Sequence, residues 1–135
     1  MNAQTFTVGD VVAERTVHLT RESLVRYAGA SGDFNPIHYR DDVAASVGLP
    51  GVLAHGMLTM GLASSAVIAA LPAEARLIDY GVRFTKPVVV DPDTGADVHV
   101  LAKVGAVDES SARIDLTVRA GETTVLVKAQ LRVAL

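Results

Sequence analysis

Asp33 and His38 stand five positions apart in the run Gly32-Asp33-Phe34-Asn35-Pro36-Ile37-His38. On a helix they would face different directions. Gly32, Asn35 and Pro36 are turn formers, however, so this loop can fold back and bring carboxylate and imidazole together. A carboxylate beside an imidazole supplies two acid/base groups, one of them titrating near neutrality, that can hold a water and move its protons. The chemistry this suits is addition or removal of water. The plain alternatives are an Asx turn at Asp33 and a packed or surface histidine at His38. A metal site from Asp33, Asn35, His38 and Asp41 is a further reading, but the spacing matches no defined ligand pattern and the donors are mixed. No metal and no cofactor is expected.

A second group of interest is Gly56, at the expected start of a long apolar segment. The free N–H groups of a helix's first turn carry partial positive charge, and glycine lets a ligand approach the backbone closely. A carbonyl oxygen could dock there and have its developing negative charge stabilised. The competing reading is that Gly56 only permits tight packing. His55 reads as a helix-start residue rather than a second catalyst. Ser64 either hydrogen-bonds the loop or bonds back to its own helix.

These groups need elements to hold them. Residues 12–19 alternate as a first strand, and Thr20 is placed to cap a short helix carrying Leu24, Tyr27 and Ala28. Gly29 to His38 reads as a loop, with Asn35 pushed toward extended backbone by Pro36. Asp41 and Asp42 open a brief helix over Val43 to Val47, closed by Gly48. From Gly56 to Leu71 the chain is apolar nearly all round and rich in small residues, which predicts a central helix buried on most sides. Beyond Arg76 the period becomes two. Leu77–Thr85, Ala96–Val107, Ala112–Arg119 and Thr123–Val133 read as strands with short links, hence antiparallel. One strand, helices, then a run of strands is an α+β order, met by a curved antiparallel sheet wrapped around the long helix.

The 135 residues suit one domain, residues 1–135, with no repeat or linker. A net charge of −3 without a basic cluster argues against nucleic-acid and anionic-membrane partners. No cysteine means no disulfide, thiolate nucleophile or thiolate metal site. The segment ending at Pro72 is shorter than the roughly 20 residues that span a bilayer. The first ten residues lack a basic signal-peptide start, so a cytoplasmic location is expected. Half the residues are hydrophobic, more apolar surface than a small domain easily hides, which favours a dimer.

Gly32 to His38, with Tyr27 upstream and Ala54-His55-Gly56-Met57-Leu58 downstream, resembles the hydratase-2 motif of the MaoC-like dehydratases and (R)-specific enoyl-thioester hydratases. Tyr80 to Val88 is similar to the strand that follows the central helix in that family. Within it the likeness is nearest to the catalytic subunits of two-subunit β-hydroxyacyl-carrier-protein dehydratases. The resemblance implies a hot-dog fold and reversible hydration of trans-2-enoyl thioesters to (R)-3-hydroxyacyl thioesters in fatty-acid metabolism. It also implies roles: Asp33 and His38 bind the water, Gly56 gives its N–H to the thioester oxygen, Asn35 fixes the loop and Ser64 supports the site. An acyl-CoA or acyl-ACP substrate follows, with Arg26, Arg76, Arg83 and Lys86 available to a carrier phosphate. The acyl tunnel would run beside the central helix near Val67 and Ile68. A homodimer, or a heterodimer with a related hot-dog subunit, is the expected assembly. Two departures stand out: Arg40 occupies a position that is commonly an acid, and Val90-Asp91-Pro92 replaces the usual Gly-Asp turn. A hot-dog acyl thioesterase and an acyl-binding subunit of a heterodimeric dehydratase are the alternatives. A non-catalytic subunit would be expected to lack the Asp33/His38 pair.

Overall fold

The computed structural model describes residues 5–134; the outermost ends of the expected domain, residues 1–4 and 135, lie outside them. The chain runs β1 (Val11–Leu19), α1 (Arg21–Ser31), a 3-10 turn (Pro36–His38), α2 (Asp41–Ser46), α3 (Gly56–Ile68), β2 (Arg76–Phe84), β3 (Ala96–Val107), β4 (Ser111–Ala120) and β5 (Thr123–Ala134). The strands form one sheet in the order β1-β3-β4-β5-β2, every pair antiparallel. β3, β4 and β5 pair as consecutive hairpins, while the chain crosses from one edge strand, β1, to the other, β2, through the helices.

Alternation decides which face holds the core. Val98, Val100, Ala102 and Val104 of β3 and Ala112, Ile114, Leu116 and Val118 of β4 are buried at every second position, as a sheet covered on one face requires. In β5 the alternation is broken: Val125 and Leu126 are buried side by side, followed by Ala129, Leu131 and Val133 at every second position. The register against β4 slips here, because the four residues Leu126 to Ala129 span the three from Leu116 to Val118, with Lys128 at φ 48°, and it slips again between Val118 and Arg119. Simple alternation over Thr123–Val133 does not reveal this extra residue.

α3 lies against the covered face. Its small residues let the sheet approach: Ala63, Ala66 and Val67 are buried in one cluster with the β3, β4 and β5 residues above. Tyr80 of β2 donates its hydroxyl to Met60 O of α3 at 2.7 Å. The result is the expected α+β hot-dog arrangement, a curved sheet around a central helix. Two details differ from expectation. α1 continues through Gly29 to Ser31 and stops at Gly32, in the left-handed conformation at φ 76° with its N–H on Ala28 O; one internal glycine costs only about 1 kcal/mol, too little to end a helix. α3 ends at Ile68 rather than Leu71, the chain tightening into i−3 bonds from Ala70 to Val67 O and Leu71 to Ile68 O before Pro72. Nor is α3 covered all round: Met57 is 60% and Ile68 50% exposed.

No helix among the described residues is long and apolar enough to cross a membrane.

Candidate active site

The loop after α1 is held from both sides. Asp33 Oδ1 accepts the N–H of Asn35 at 3.1 Å, the Asx turn foreseen for it, and Asn35 Oδ1 caps the 3-10 turn by accepting from Ile37 N–H at 3.2 Å. The strap before α3 then grips the turn, with Leu53 N–H donating to Ile37 O at 3.1 Å. The strap is itself paired to the segment after β2, Ala54 N–H on Val88 O and Val90 N–H on Val52 O, both 2.9 Å. Asn35 thus ties the loop's turn to itself through its own side chain.

His38 is buried, and its Nδ1–H donates to Leu53 O at 2.7 Å. A carbonyl only accepts, so the neutral ring carries its proton on Nδ1 and turns the Nε2 lone pair outward. That lone pair faces Asp33 Oδ2 at 3.9 Å. The gap is too long for a direct hydrogen bond and short enough for both atoms to bond one shared oxygen. The Asp33 side chain is half exposed, so the pair is open to solvent on one side.

A cleft of about 320 Å³ lies beside this pair, lined by His38, Leu53, Gly56, Thr59, Phe84 and Lys86 among others. Gly56 is the first residue of α3 and is exposed. His55 offers no side-chain cap, and Thr59 N–H is the one that reaches back to His55 O, at 3.2 Å. The first-turn N–H groups therefore point out along the helix axis where the cleft begins. A Cβ on Gly56 would sit 3.0 Å from Phe84 Cε1, so glycine here keeps the cleft mouth open beside that ring.

Ser64 departs from its implied role. Its Oγ donates to Gly61 O at 3.0 Å, because two turns into α3 the carbonyl one turn back is the acceptor within reach. Arg40, in the position commonly acidic, pairs with Asp42 through Nε at 3.0 Å, while Asp41 is gripped by Arg21 at 2.9 and 3.1 Å. Arg21 also donates Nε–H to Val90 O at 2.6 Å, tying α1 to α2 and to the segment after β2. In the altered turn, Asp91 Oδ1 accepts the N–H groups of Asp93 and Thr94, which hold its carboxyl below the usual range. With Asp41 engaged by Arg21, the Asp33, Asn35, His38 and Asp41 set does not converge.

His55, expected only as a helix-start residue, has side-chain contacts that its position in the sequence did not announce. It is 1% exposed, stacks on His38 with ring centroids 3.8 Å apart and planes 23° from parallel, and donates Nε2–H to Asp33 O at 3.1 Å. Asp33, His38 and His55 offer ligand atoms within 4.8 Å of one another. His38 keeps Nε2 free toward Asp33, whereas His55 donates from Nε2 to Asp33 O and has its other nitrogen, Nδ1, enclosed, so only one of the two rings turns a lone pair toward the cleft. The signal in the sequence was the His55-Gly56 pair itself.

With this geometry in place the chain's relatives are informative. It belongs to the MaoC-like domain family, which matches residues 3–126. It is 38% identical over 79 residues to 3-hydroxyacyl-thioester dehydratase X of Mycobacterium tuberculosis, a match covering 58% of this chain but only 27% of that protein. It is 29% identical over 118 residues to an (R)-specific enoyl-CoA hydratase of Rhodospirillum rubrum, covering 83% of this chain and 82% of the relative. Among solved structures, the R-hydratase PhaJ1 of Pseudomonas aeruginosa superposes with a TM-score of 0.81 at 28% identity, covering 96% of this chain and 81% of that one.

Proposed function

We propose that this chain, as one MaoC-like domain over residues 1–135, is a hydro-lyase that hydrates trans-2-enoyl thioesters, and in reverse dehydrates (R)-3-hydroxyacyl thioesters, in fatty-acid metabolism. The observation that carries the reading is His38 Nε2 facing Asp33 Oδ2 at 3.9 Å beside the open start of α3 at Gly56. In the hydration direction, a water held between Asp33 and His38 loses a proton as its oxygen bonds to C3 of the enoyl group. The electron pair of the double bond moves toward the thioester carbonyl, whose oxygen accepts from Gly56 N–H, and C2 then takes a proton back from the pair. One O–H bond and the π bond between C2 and C3 break, and one C–O and one C–H bond form, with no redox change. His38 suits the proton-handling role because Leu53 O fixes its tautomer. The names of the relatives, dehydratase and hydratase, support the same chemistry.

The substrate is an acyl-CoA or acyl-ACP thioester. Lys86 lines the cleft and is placed for a carrier phosphate, whereas Arg26 is occupied by Glu22 at 2.6 Å. The assembly is a homodimer and the location the cytoplasm, both part of this reading.

Asp33→Asn and His38→Ala are each expected to lower turnover of crotonyl-CoA by on the order of a hundredfold or more, as for loss of a positioned acid/base group. Loss of the enoyl absorbance without thiol release separates hydration from thioester hydrolysis. Near-normal hydration by both folded variants sinks the proposal.

A further inference from the structure

We propose that His55 is a positioning residue of this site, a ring that fixes Asp33 through its backbone and His38 through its face, and does so in the neutral state. The inference rests on the hydration reading and adds to it the residue that holds the two acid/base groups in register.

His55 is the residue immediately before Gly56, and its side chain reaches 22 positions back to donate to the carbonyl of Asp33 at 3.1 Å. One side chain thereby ties the backbone of the water-holding carboxylate to the helix start that offers the amide donors. Its ring also covers one face of His38 at 3.8 Å, which leaves that imidazole its Leu53 bond on one edge and its Nε2 lone pair on the other. The His55 ring also meets Tyr27 of α1 edge-on, at 4.7 Å and 63°. Tyr27, His38 and His55 therefore form an aromatic stack running from α1 to the cleft. Such a stack sets ring planes as well as distances.

The protonation state follows from the hydrogen bonds. Because a carbonyl cannot donate, Nε2 must carry the proton. Nδ1 is then bare, and it is buried with no hydrogen-bond partner among the described residues. A second proton there would be a buried charge without an acceptor, 3.8 Å from another imidazole that can itself become cationic. The ionisable groups facing His55 are Asp33, His38 and Tyr27, and only Asp33 favours the cation. Burial outweighs it and holds the His55 pKa below its ordinary value. Neutral, with its free nitrogen enclosed, His55 neither gives nor takes a proton in the reaction.

Two variants separate donor from ring. His55→Phe keeps a flat ring for His38 and Tyr27 and removes the donor; His55→Gln keeps a donor near the Nε2 position and removes the ring. For crotonyl-CoA hydration, H55F is expected to lose on the order of 10- to 100-fold in kcat, the scale of a misplaced reacting group, with KM within about twofold. H55Q, which restores the donor without the ring, is expected to lose about two- to fivefold, the share carried by the ring's contact with His38. Nitrogen-15 spectra of the wild-type imidazoles should show His55 as the neutral Nε2–H tautomer throughout the pH range of the folded protein. Wild-type kcat in H55F, an equal loss in H55Q and H55F, or a cationic or Nδ1–H His55 overturns the inference. Should H55F not fold, H55Q decides alone: a loss of about two- to fivefold supports the donor and ring roles together, and wild-type kcat or a loss beyond about tenfold refutes them. The spectra need no turnover, so an inactive wild-type chain would count against the hydration reading and leave the placement of His55 to be judged on its tautomer.

Discussion

At the scale of single residues, Gly56 makes the sharpest demand. Its φ is outside the left-handed region, so alanine fits the backbone, and an alanine would ordinarily be a better helix residue. What the methyl meets is Phe84, 3.0 Å away across the cleft mouth. Gly56→Ala is therefore expected to leave thermal stability close to wild type while lowering kcat/KM for an enoyl-CoA by on the order of tenfold or more, as a carbonyl is kept from the amide donor. Adding Phe84→Leu discriminates: recovery of activity assigns the loss to crowding by the ring, and persistent loss assigns it to the carbonyl's own approach. An unchanged kcat/KM in Gly56→Ala argues that no acyl oxygen docks there. That Asp33 and His38 come to face each other and that Gly56 opens α3 was legible in the sequence, because local turn formers and the onset of the apolar run decide both. His55 was not, since its stack on His38 and its bond to Asp33 exist only once the strap at Leu53 has closed onto the loop. Ser64 was legible only as a choice, and helix geometry made it.

At the scale of elements, one side-chain hydrogen bond ties α3 to β2, the strand that ends at Phe84. Tyr80 is half-buried, and burial pushes its phenol up to about 12, so it stays protonated and donates to Met60 O at 2.7 Å. Met60 O lies within a helix, where carbonyls already have backbone donors, so removing the hydroxyl strands no acceptor. Tyr80→Phe should then cost about 1 kcal/mol, the net worth of one hydrogen bond, seen as a lower urea midpoint at unchanged slope. No shift in the midpoint would mean the bond is replaced by water at no loss. Strand positions were readable to within a residue or so from alternation alone, β3 over its whole length, because one face of the sheet is covered. The β5 bulge was hidden since an extra residue leaves composition unchanged and shows only in the partner strands' register. The helix ends shifted for the complementary reason: Gly29 and Ala69 to Leu71 are ambiguous locally, and packing and capping decide.

At the scale of the molecule, the sheet has an open edge that carries apolar side chains. β2 pairs with β5 on one side only, and Leu77, Ile78 and Phe84 on it are 38%, 55% and 53% exposed. Met57 and Ile68 of α3 are likewise open to solvent. An unpaired strand with hydrophobic residues is a template for another strand, and proteins that stay monomeric blunt such an edge with charge or proline. Here Arg76, Asp79 and Arg83 lie along the strand, yet Ile78 stands between them unprotected. A second copy meets the need most simply, since this chain already holds both acid/base groups and the helix start, and a partner need bring no missing catalytic group. Light scattering is expected to give about twice the chain mass of 14.1 kDa at micromolar concentration. Ile78→Lys, which places a charge in the middle of the edge, should shift that mass toward the monomer, and with it reduce hydration, because Phe84 at the end of the same strand lines the cleft. A wild-type chain that runs as a monomer removes the homodimer from the proposal. A dimer that the lysine leaves intact relocates the interface from β2 to the exposed face of α3.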